Sequence, residues 1–473
     1  MLRLFNTLTR HVEEFKPLVM GEVRMYSCGP TVYAPPHIGN YRSFLFADIL
    51  RRYLEYRGFH VVQVMNLTDI DDKTIRDSAK EGLPLKAFTE RYEKIFFEGV
   101  DFLNIKRASF YPRATDNVDA MVEMTRTLIG RGYAYIKDGS VYFDISKFKD
   151  YGQLSKLELG ELKPGARVDL DEYAKESPSD FALMKKSTPQ EVARGITYTT
   201  PWGNMRPGWH IECSVLCMRY LGTSVDIHTG GIDLIFPHHE NEIAQSEAYS
   251  GTRFVDYWLH CEHLLVNGQK MAKSLKNFIT LQDLISQGYD AKAIRLLLVS
   301  THYRRQLNFT SETLEASERT VQGLLDFMRR LRHPEESGEG SQSKELVESA
   351  RSSFSAAMDD DLDIREALVA IFNLTSKVNR LLDEGKIGQK EAEECLSFMT
   401  DADKVLGLRL EESSAENTLS VEVEELVKKR EEARGKADWT TADEIRSQLK
   451  AMGIALEDTP VGVRWKILKK KGE

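Results

Sequence analysis

Residues 22–28, EVRMYSC, alternate apolar and polar positions as a β-strand does. The segment NYRSFLFADILRRYLEYRG then places Phe44, Ile49, Leu50, Tyr53 and Leu54 near a 3.6-residue period, and the pattern stops at Gly58. HVVQVMNLTDIDD follows as a continuous apolar strand that runs into an acidic loop. Strand, loop, helix and strand predict a βαβ unit, with the helix N-terminus facing the crevice where open α/β sheets bind ligands. The stretch CGPTVYAPPHIGN, residues 28–40, sits at that junction.

From about 115 to 200 the pattern changes. DNVDAMVEMTRTLIGRG predicts a helix ending at Gly132, and YAYIKDGSVYFDI a hairpin with Asp138-Gly139 at its turn. A polar stretch with Pro164, Pro178 and Pro189 follows, and strand and loop motifs resume at 209, so the segment reads as an insertion. Beyond 310 the period is helical: SETLEASERTVQGLLDFMRRL carries Leu314, Val321, Leu324, Leu325, Met328 and Leu331 on one face, and DIREALVAIFNLTSKVNRLLDEG repeats the pattern. HPEESGEGSQS between them reads as a surface loop. EESSAENTLS separates a last unit, expected to hold one helix, a DTPVGVRW turn and the tail KILKKKGE. The expected architecture is an α/β Rossmann-like parallel-sheet catalytic domain (1–115 and 201–309) with an inserted connective subdomain (116–200). An α-helical bundle (310–407) and a small C-terminal domain (421–473) follow it.

A length of 473 residues suits about three domains. Hydrophobic and charged shares of 41 % and 29 % are those of a soluble globular protein. The N-terminus lacks a secretory pattern, and no run approaches the ~18 apolar residues of a membrane span. Five scattered cysteines make no disulfide framework, which points to a reducing, cytoplasmic setting. The net charge of −9 opposes a global nucleic-acid footprint but leaves room for a local basic face.

Two short stretches carry phosphate chemistry. In His37-Ile38-Gly39-Asn40 the unpartnered N–H groups of a helix start, with a His and an Asn beside them, suit phosphate oxygens, and Gly39 lets the backbone approach. The plain alternative is a turn with an N-cap Asn. In VNGQKMAKSLKN, Lys270 and Lys273 flank Met-Ala behind an Asn267-Gly268 turn, placing two ammonium groups where pyrophosphate charge can develop. A solvated basic loop is the alternative. There is no Walker A sequence, so a nucleotide bound here is bound without a P-loop.

HIGN at the first β–α junction paired with KMAKS late in the same domain resembles the HIGH and KMSKS motifs of class I aminoacyl-tRNA synthetases. CGPTVY…HIGN, NLTDIDDK, RPGWHIECS, HTGGIDLIFPHHENEIAQSEA and DTPVGVRW together resemble the cysteinyl-tRNA synthetase family, over almost the whole chain. Ala272 departs from the Ser of KMSKS and Asn40 from the last His of HIGH, while KSTPQEVARGITYTT (186–200) matches the family poorly.

His238 and Glu242 are four apart, hence on one helical face. With Cys213 and Cys28 they make a mixed sulfur, nitrogen and oxygen set suited to tetrahedral zinc, although spacing alone favours a satisfied histidine and a surface glutamate. The resemblance implies one zinc ion on these four residues. Cys217 and His239 are near neighbours outside that set, and Cys261 and Cys395 read as plain buried cysteines. The resemblance further implies ribose binding by Asp233 beside Gly230 and Gly231, and an amino-acid pocket lined by Thr31 and Trp209. A Gly-Gly turn and a core aromatic are the alternatives. Asp69, Asp71 and Asp72 beside Lys73 read as a salt-bridged loop. MDDDLDIREAL lacks EF-hand spacing, with Ile364 and Ala370 where Gly and Glu are needed, and reads as acidic residues at a helix start.

By resemblance the chain activates L-cysteine with Mg-ATP and transfers it to the 3′ end of tRNA(Cys). It would work as a monomer with no membrane partner and no editing domain. His37 and Asn40 would flank one side of the phosphates and Lys270 and Lys273 the other. Arg464 and Trp465 would meet an unpaired tRNA base, Trp465 having a small-domain core as its equal alternative. Two rivals are a cysteine ligase acting on an amino-sugar acceptor, which would lack the last small domain, and a zinc-containing nucleic-acid-binding protein with dead motifs.

Overall fold

Strand β1 (Glu22–Ser27) leads through residues 28–37 into helix α1 (Ile38–Tyr56), and strand β2 (His60–Met65) returns beside β1 in parallel register, Tyr26 opposite Val64. After the insertion, helix α2 (Trp209–Leu221), strand β3 (Val225–Gly231), helix α3 (Glu240–Ser250) and strand β4 (Val255–Cys261) complete the domain. The sheet order is β4-β3-β1-β2, all parallel. Val23, Met25, Tyr26, Val225, Ile227 and Leu259 are buried, as expected of parallel strands covered by helices on both faces. From β1 the chain winds one way to β2 and the other way to β3, so the β1/β3 boundary is the switch point where such sheets bind ligands. This computed structural model describes residues 1–156, 180–271, 275, 277–334, 342–411, 421–436, 438–452, 454–459 and 462–467.

The insertion builds a five-stranded antiparallel sheet from Ala134–Lys137, Ser140–Phe143, Phe181–Lys186, Gly203–Pro207 and Tyr198–Thr200, in that spatial order. Its first hairpin turns at Asp138-Gly139, with φ of 50° and 84°, the positive pair that a tight two-residue turn requires. The poorly matching segment 186–200 is regular here: Thr188 and Glu191 cap the short helix Pro189–Ala193 reciprocally, and strand Tyr198–Thr200 follows. The strand Gly203–Pro207, last of the five in the chain, lies beyond residue 200, where the insertion was expected to end. Pro164 and Pro178 lie outside the described residues.

Helix α4 (Ala291–Val299) packs Arg295 onto α1 and leads to a bundle of Ser311–Arg332, Gln342–Asp359, Ile364–Asp383 and Gln389–Leu406. Two of these four helices carry the apolar faces expected from the sequence. The other two also bury apolar faces, with Val347, Ala350, Phe354 and Met358 on one and Ala392, Cys395, Phe398, Met399 and Leu406 on the other. Asp363 is the N-cap of the helix Ile364–Asp383, in keeping with acidic residues at a helix start. The C-terminal unit differs from expectation: it has two helices, Val421–Gly435 and Trp439–Ala451, and the hairpin Ile454–Thr459/Gly462–Ile467. Asp438 accepts from the Thr441 backbone N–H and starts a second helix where the polar sequence had suggested one.

Candidate active site and metal centre

The β1/β3 boundary gathers most of the candidate residues. Cys28 follows β1 directly, and its N–H donates to the carbonyl of Thr229 in β3 at 3.1 Å. Gly230 and Gly231, expected after a strand, are the last two residues of β3 itself. The next turn, Ile232–Leu234, carries Asp233, which faces His37 across the crevice.

His37 is the N-cap of α1, where the plain alternative reading of HIGN made Asn40 the cap. His37 Nδ1 accepts from the Asn40 N–H and Asn40 Oδ1 accepts from the His37 N–H, each at 3.1 Å. This reciprocal cap has a chemical consequence. With Nδ1 an acceptor, the neutral imidazole carries its hydrogen on Nε2, and Asn40 is left with its Nδ2 donors. Burial lowers the His37 pKa to about 4, with Asp233 opposing, so the imidazole is neutral at pH 7.

The Lys270 segment meets the same helix start. Ile38 N–H donates to the Ile279 carbonyl at 3.1 Å, and the His37 ring lies edge-on to Phe278 at 5.1 Å. Lys270 is exposed at the end of a two-residue strand, Gln269–Lys270. Ala272 and Lys273 lie outside the described residues. Arg464 and Trp465 lie on the second strand of the terminal hairpin, in register with Glu457 and Leu456.

The four expected metal ligands come together although 185 residues separate the two cysteines. The Cys28 and Cys213 sulfurs are 3.8 Å apart, His238 Nε2 is 3.1 Å from Glu242 Oε1, and that oxygen is 3.9 Å from Cys28 Sγ. One donor atom from each of the four lies within 4.8 Å of every other, and Cys213, His238 and Glu242 are buried. The donors are oriented from behind: His228 Nε2 contacts Glu242 Oε2 at 3.0 Å, and His210 Nδ1 contacts His238 Nδ1 at 3.0 Å. Trp209 stacks on His238 at 4.1 Å. Among the described residues the ion-pair partners of Glu242 are imidazoles, which fits a site for a soft divalent cation. His239, read as an outsider, comes close: its Nε2 is 3.2 Å from Cys28 Sγ, and Cys28, His228, His239 and Glu242 form a second group of four within the same limit. That group offers one sulfur instead of two, and His239 Nδ1 is engaged at 2.7 Å by His260. Cys217, Cys261 and Cys395 are buried and belong to neither group.

Electrostatics mark the centre as one of competing charges. Burial would push the Glu242 carboxyl up, but His228 and His238 hold it at about 2. Burial would push His238 down, but Cys213 and Glu242 raise it to about 10. The Cys28 thiol is held well above the usual range by burial, whereas the sulfur contact with Cys28 lowers Cys213 to about 6, so Cys213 ionises first.

Sequence reasoning passed over His210, His228 and His260, each readable as a satisfied core histidine. The available signal was density: five of the chain's eleven histidines fall between 210 and 260. The acidic loop is salt-bridged as expected, but through other cations than Lys73. Asp72 pairs with Lys185 at 3.0 Å and with Arg206, Asp71 caps a helix, and Lys73 stands over the Tyr33 ring instead of bridging the carboxylates.

Known proteins place this geometry. The family described as tRNA synthetases class I (C) catalytic domain matches residues 14–319, the DALR domain matches 353–411, and the cysteinyl-tRNA ligase anticodon binding domain matches 416–465. Curated cysteine–tRNA ligases of Methanosarcina mazei and Protochlamydia amoebophila are each 46 % identical to the chain. The first covers 98 % of this chain and 99 % of its own length, the second 98 % of each. Two solved structures share the fold. Mycobacterium tuberculosis methionyl-tRNA synthetase with methionyl-adenylate has a TM-score of 0.59 at 14 % identity, covering 82 % of this chain and 90 % of that one. The LeuRS–tRNA–LeuAMS ternary complex of Agrobacterium radiobacter K84 has a TM-score of 0.63 at 12 % identity, covering 84 % and 85 %. With a switch-point crevice, a capped HIGN helix and full-length relatives of one activity, the chain belongs to the cysteine–tRNA ligase family of class I aminoacyl-tRNA synthetases.

Proposed function

We propose that the β1/β3 crevice activates L-cysteine with Mg-ATP and charges tRNA(Cys), with the residues assigned below. The observation that carries this reading is the convergence of Cys28, Cys213, His238 and Glu242 at the end of β1, the strand whose following loop leads to the His37–Asn40 cap. A cysteine pocket that works by shape rejects a one-atom variant such as serine by only about 100-fold. Zinc held by those four side chains would supply a soft Lewis acid that prefers the substrate's sulfur to a hydroxyl.

The chain's own residues do the rest by positioning and charge. Thr31 and Trp209 line the amino-acid pocket. Asp233 accepts the ribose hydroxyls, and the glycine pair before it leaves room for the nucleoside. The cysteine carboxylate attacks the α-phosphorus, and the bond to pyrophosphate breaks. His37 Nε2–H and Asn40 Nδ2–H donate to phosphate oxygens as neutral groups, while Lys270 and Lys273 bring the positive charge that the leaving pyrophosphate needs. A terminal ribose hydroxyl of tRNA then attacks the acyl carbon and AMP leaves. No protein nucleophile takes part.

The helices of 310–407 span the tRNA and 421–473 meets the anticodon, with Arg464 and Trp465 as contacts. The anticodon-domain match disfavours the amino-sugar ligase, for which that domain would be absent. Cysteine-dependent ATP–pyrophosphate exchange, then charging of a set of tRNAs, tests the whole. Lys273→Ala should slow exchange sharply with metal content unchanged. Exchange at the native rate would remove Lys273 from the mechanism.

A further inference from the structure

We infer that Glu212 is a positioning residue for the metal centre, fixing the loop that carries Cys28 against the helix that carries Cys213 through Thr68 and Asn66. The inference rests on the zinc reading above. Glu212 precedes Cys213 on α2 and is fully buried. Its Oε2 accepts from Thr68 Oγ1 at 2.8 Å, Thr68 Oγ1 accepts from Asn66 Nδ2 at 3.1 Å, and Asn66 Oδ1 accepts from the Gly29 N–H at 2.8 Å.

The polarity of the chain is set from one end. A backbone N–H can only donate, so Asn66 turns its oxygen to Gly29 and its NH2 to Thr68. The hydroxyl hydrogen of Thr68 is thereby left for Glu212. Backbone bonds already hold the two loops to each other: Val32 N–H donates to Thr68 O and Thr68 N–H to Pro30 O, both at 3.1 Å. They are pressed so closely that a Cβ on Gly29 would stand 1.8 Å from the Asn66 carbonyl oxygen. Of these bonds, the one to Glu212 carries the pair of loops to α2. Among the described residues Glu212 Oε1 has no hydrogen-bond partner, so its carboxyl is anchored at Thr68. A buried carboxyl with half its capacity unused is unfavourable as mere core filling. It is accounted for if its bond sets where Cys28 stands relative to Cys213, since groups behind the ligands tune metal sites.

The test is zinc affinity, by chelator competition on the full chain, with KM for cysteine and for ATP measured alongside. Glu212→Ala and the isosteric Thr68→Val should weaken zinc binding about 10- to 100-fold and raise KM for cysteine, leaving KM for ATP unmoved. Glu212→Gln and Thr68→Ser, which keep an acceptor oxygen and a donor hydroxyl in place, should restore native affinity. Folded Glu212→Ala and Thr68→Val proteins that hold zinc as tightly as the native chain would overturn the inference. A native chain without zinc would overturn the metal reading and this inference with it.

Discussion

Arg295 donates to the carboxylate of Asp48 at 2.5 Å, with both side chains sealed from solvent. The pair joins the helix that HIGN opens to α4, the second helix after the KMAKS segment. Arg295 Nε also donates to the Leu406 carbonyl at 2.6 Å, and Arg52 adds a second guanidinium to Asp48 at 2.8 Å, so the bundle hangs on the same joint. Removing one partner of a buried ion pair strands the other without water. Asp48→Ala should therefore cost about 3–5 kcal/mol of stability, read by denaturant unfolding. Burial would raise the Asp48 pKa, but Arg295 and Arg52 depress it. The stabilisation is thus full above the ordinary carboxylate pKa and lost as pH falls through the depressed one, so the deficit of Asp48→Ala should shrink in acid. A deficit independent of pH would mean that packing, not charge, holds the joint.

The metal centre makes a proton prediction. Without metal, His238 is raised to about 10 and is an imidazolium at pH 7, whereas a ligand nitrogen must be bare. Its folded pKa lies above the unfolded one, so the stabilisation it gives the metal-free protein is complete below about 6.5 and fades as pH rises through 10. Zinc uptake should release protons, including the His238 proton and the Cys28 thiol proton, and affinity should rise with pH. Calorimetry in buffers of different ionisation enthalpy measures this. Uptake with no proton release at pH 7 would contradict the ligand assignment.

Cys28→Ala and Cys213→Ala each remove a sulfur donor. Both should fall well below one zinc per chain by elemental analysis and should lose preference for cysteine over serine in pyrophosphate exchange. Cys217→Ala, which removes a buried sulfur outside the cluster, should keep its zinc.

What the sequence disclosed follows from how local each signal is. The β1–α1–β2 unit was legible because its apolar spacing is regular, and the four donors because two share a helical face and the resemblance supplied the other two. The helix Gln342–Asp359 was not, since Val347, Ala350, Phe354 and Met358 give it a thin stripe among polar neighbours. The His37 cap was missed because histidine is an uncommon capping residue. It works here because Nδ1 offers an acceptor where serine or aspartate would offer oxygen. The imidazoles behind the donors showed only as a density of histidines, because their roles exist only once α2, β3, α3 and β4 are brought together.

His37 also sets a pH window. Its pKa, lowered to about 4 by burial, lies below its unfolded value, so the unfolded chain binds the extra proton between about 6.5 and 4. Stability should fall as pH drops through that interval. His37→Gln should remove this part of the pH dependence. An NMR titration in which the His37 ring protonates near 6.5 would contradict the burial argument.

Gly39 separates the phosphate machinery from the metal centre. A Cβ at this position would lie 3.0 Å from both Cε1 and Nδ1 of His37 and 3.4 Å from Cε of Met271. Room must therefore come from the imidazole, which has to give by a few tenths of an ångström, while Met271 stays near ordinary contact. That shift strains the bond that Nδ1 accepts from the Asn40 N–H and tilts the two neutral donors. A displacement of about 1 Å in a positioning group can lower a rate about 100-fold. Gly39→Ala, which asks for a smaller shift, should lose less than that in ATP–pyrophosphate exchange, mostly in kcat, while zinc content and KM for cysteine stay native. Loss of zinc together with exchange would instead show that the two halves of the crevice are one cooperative unit.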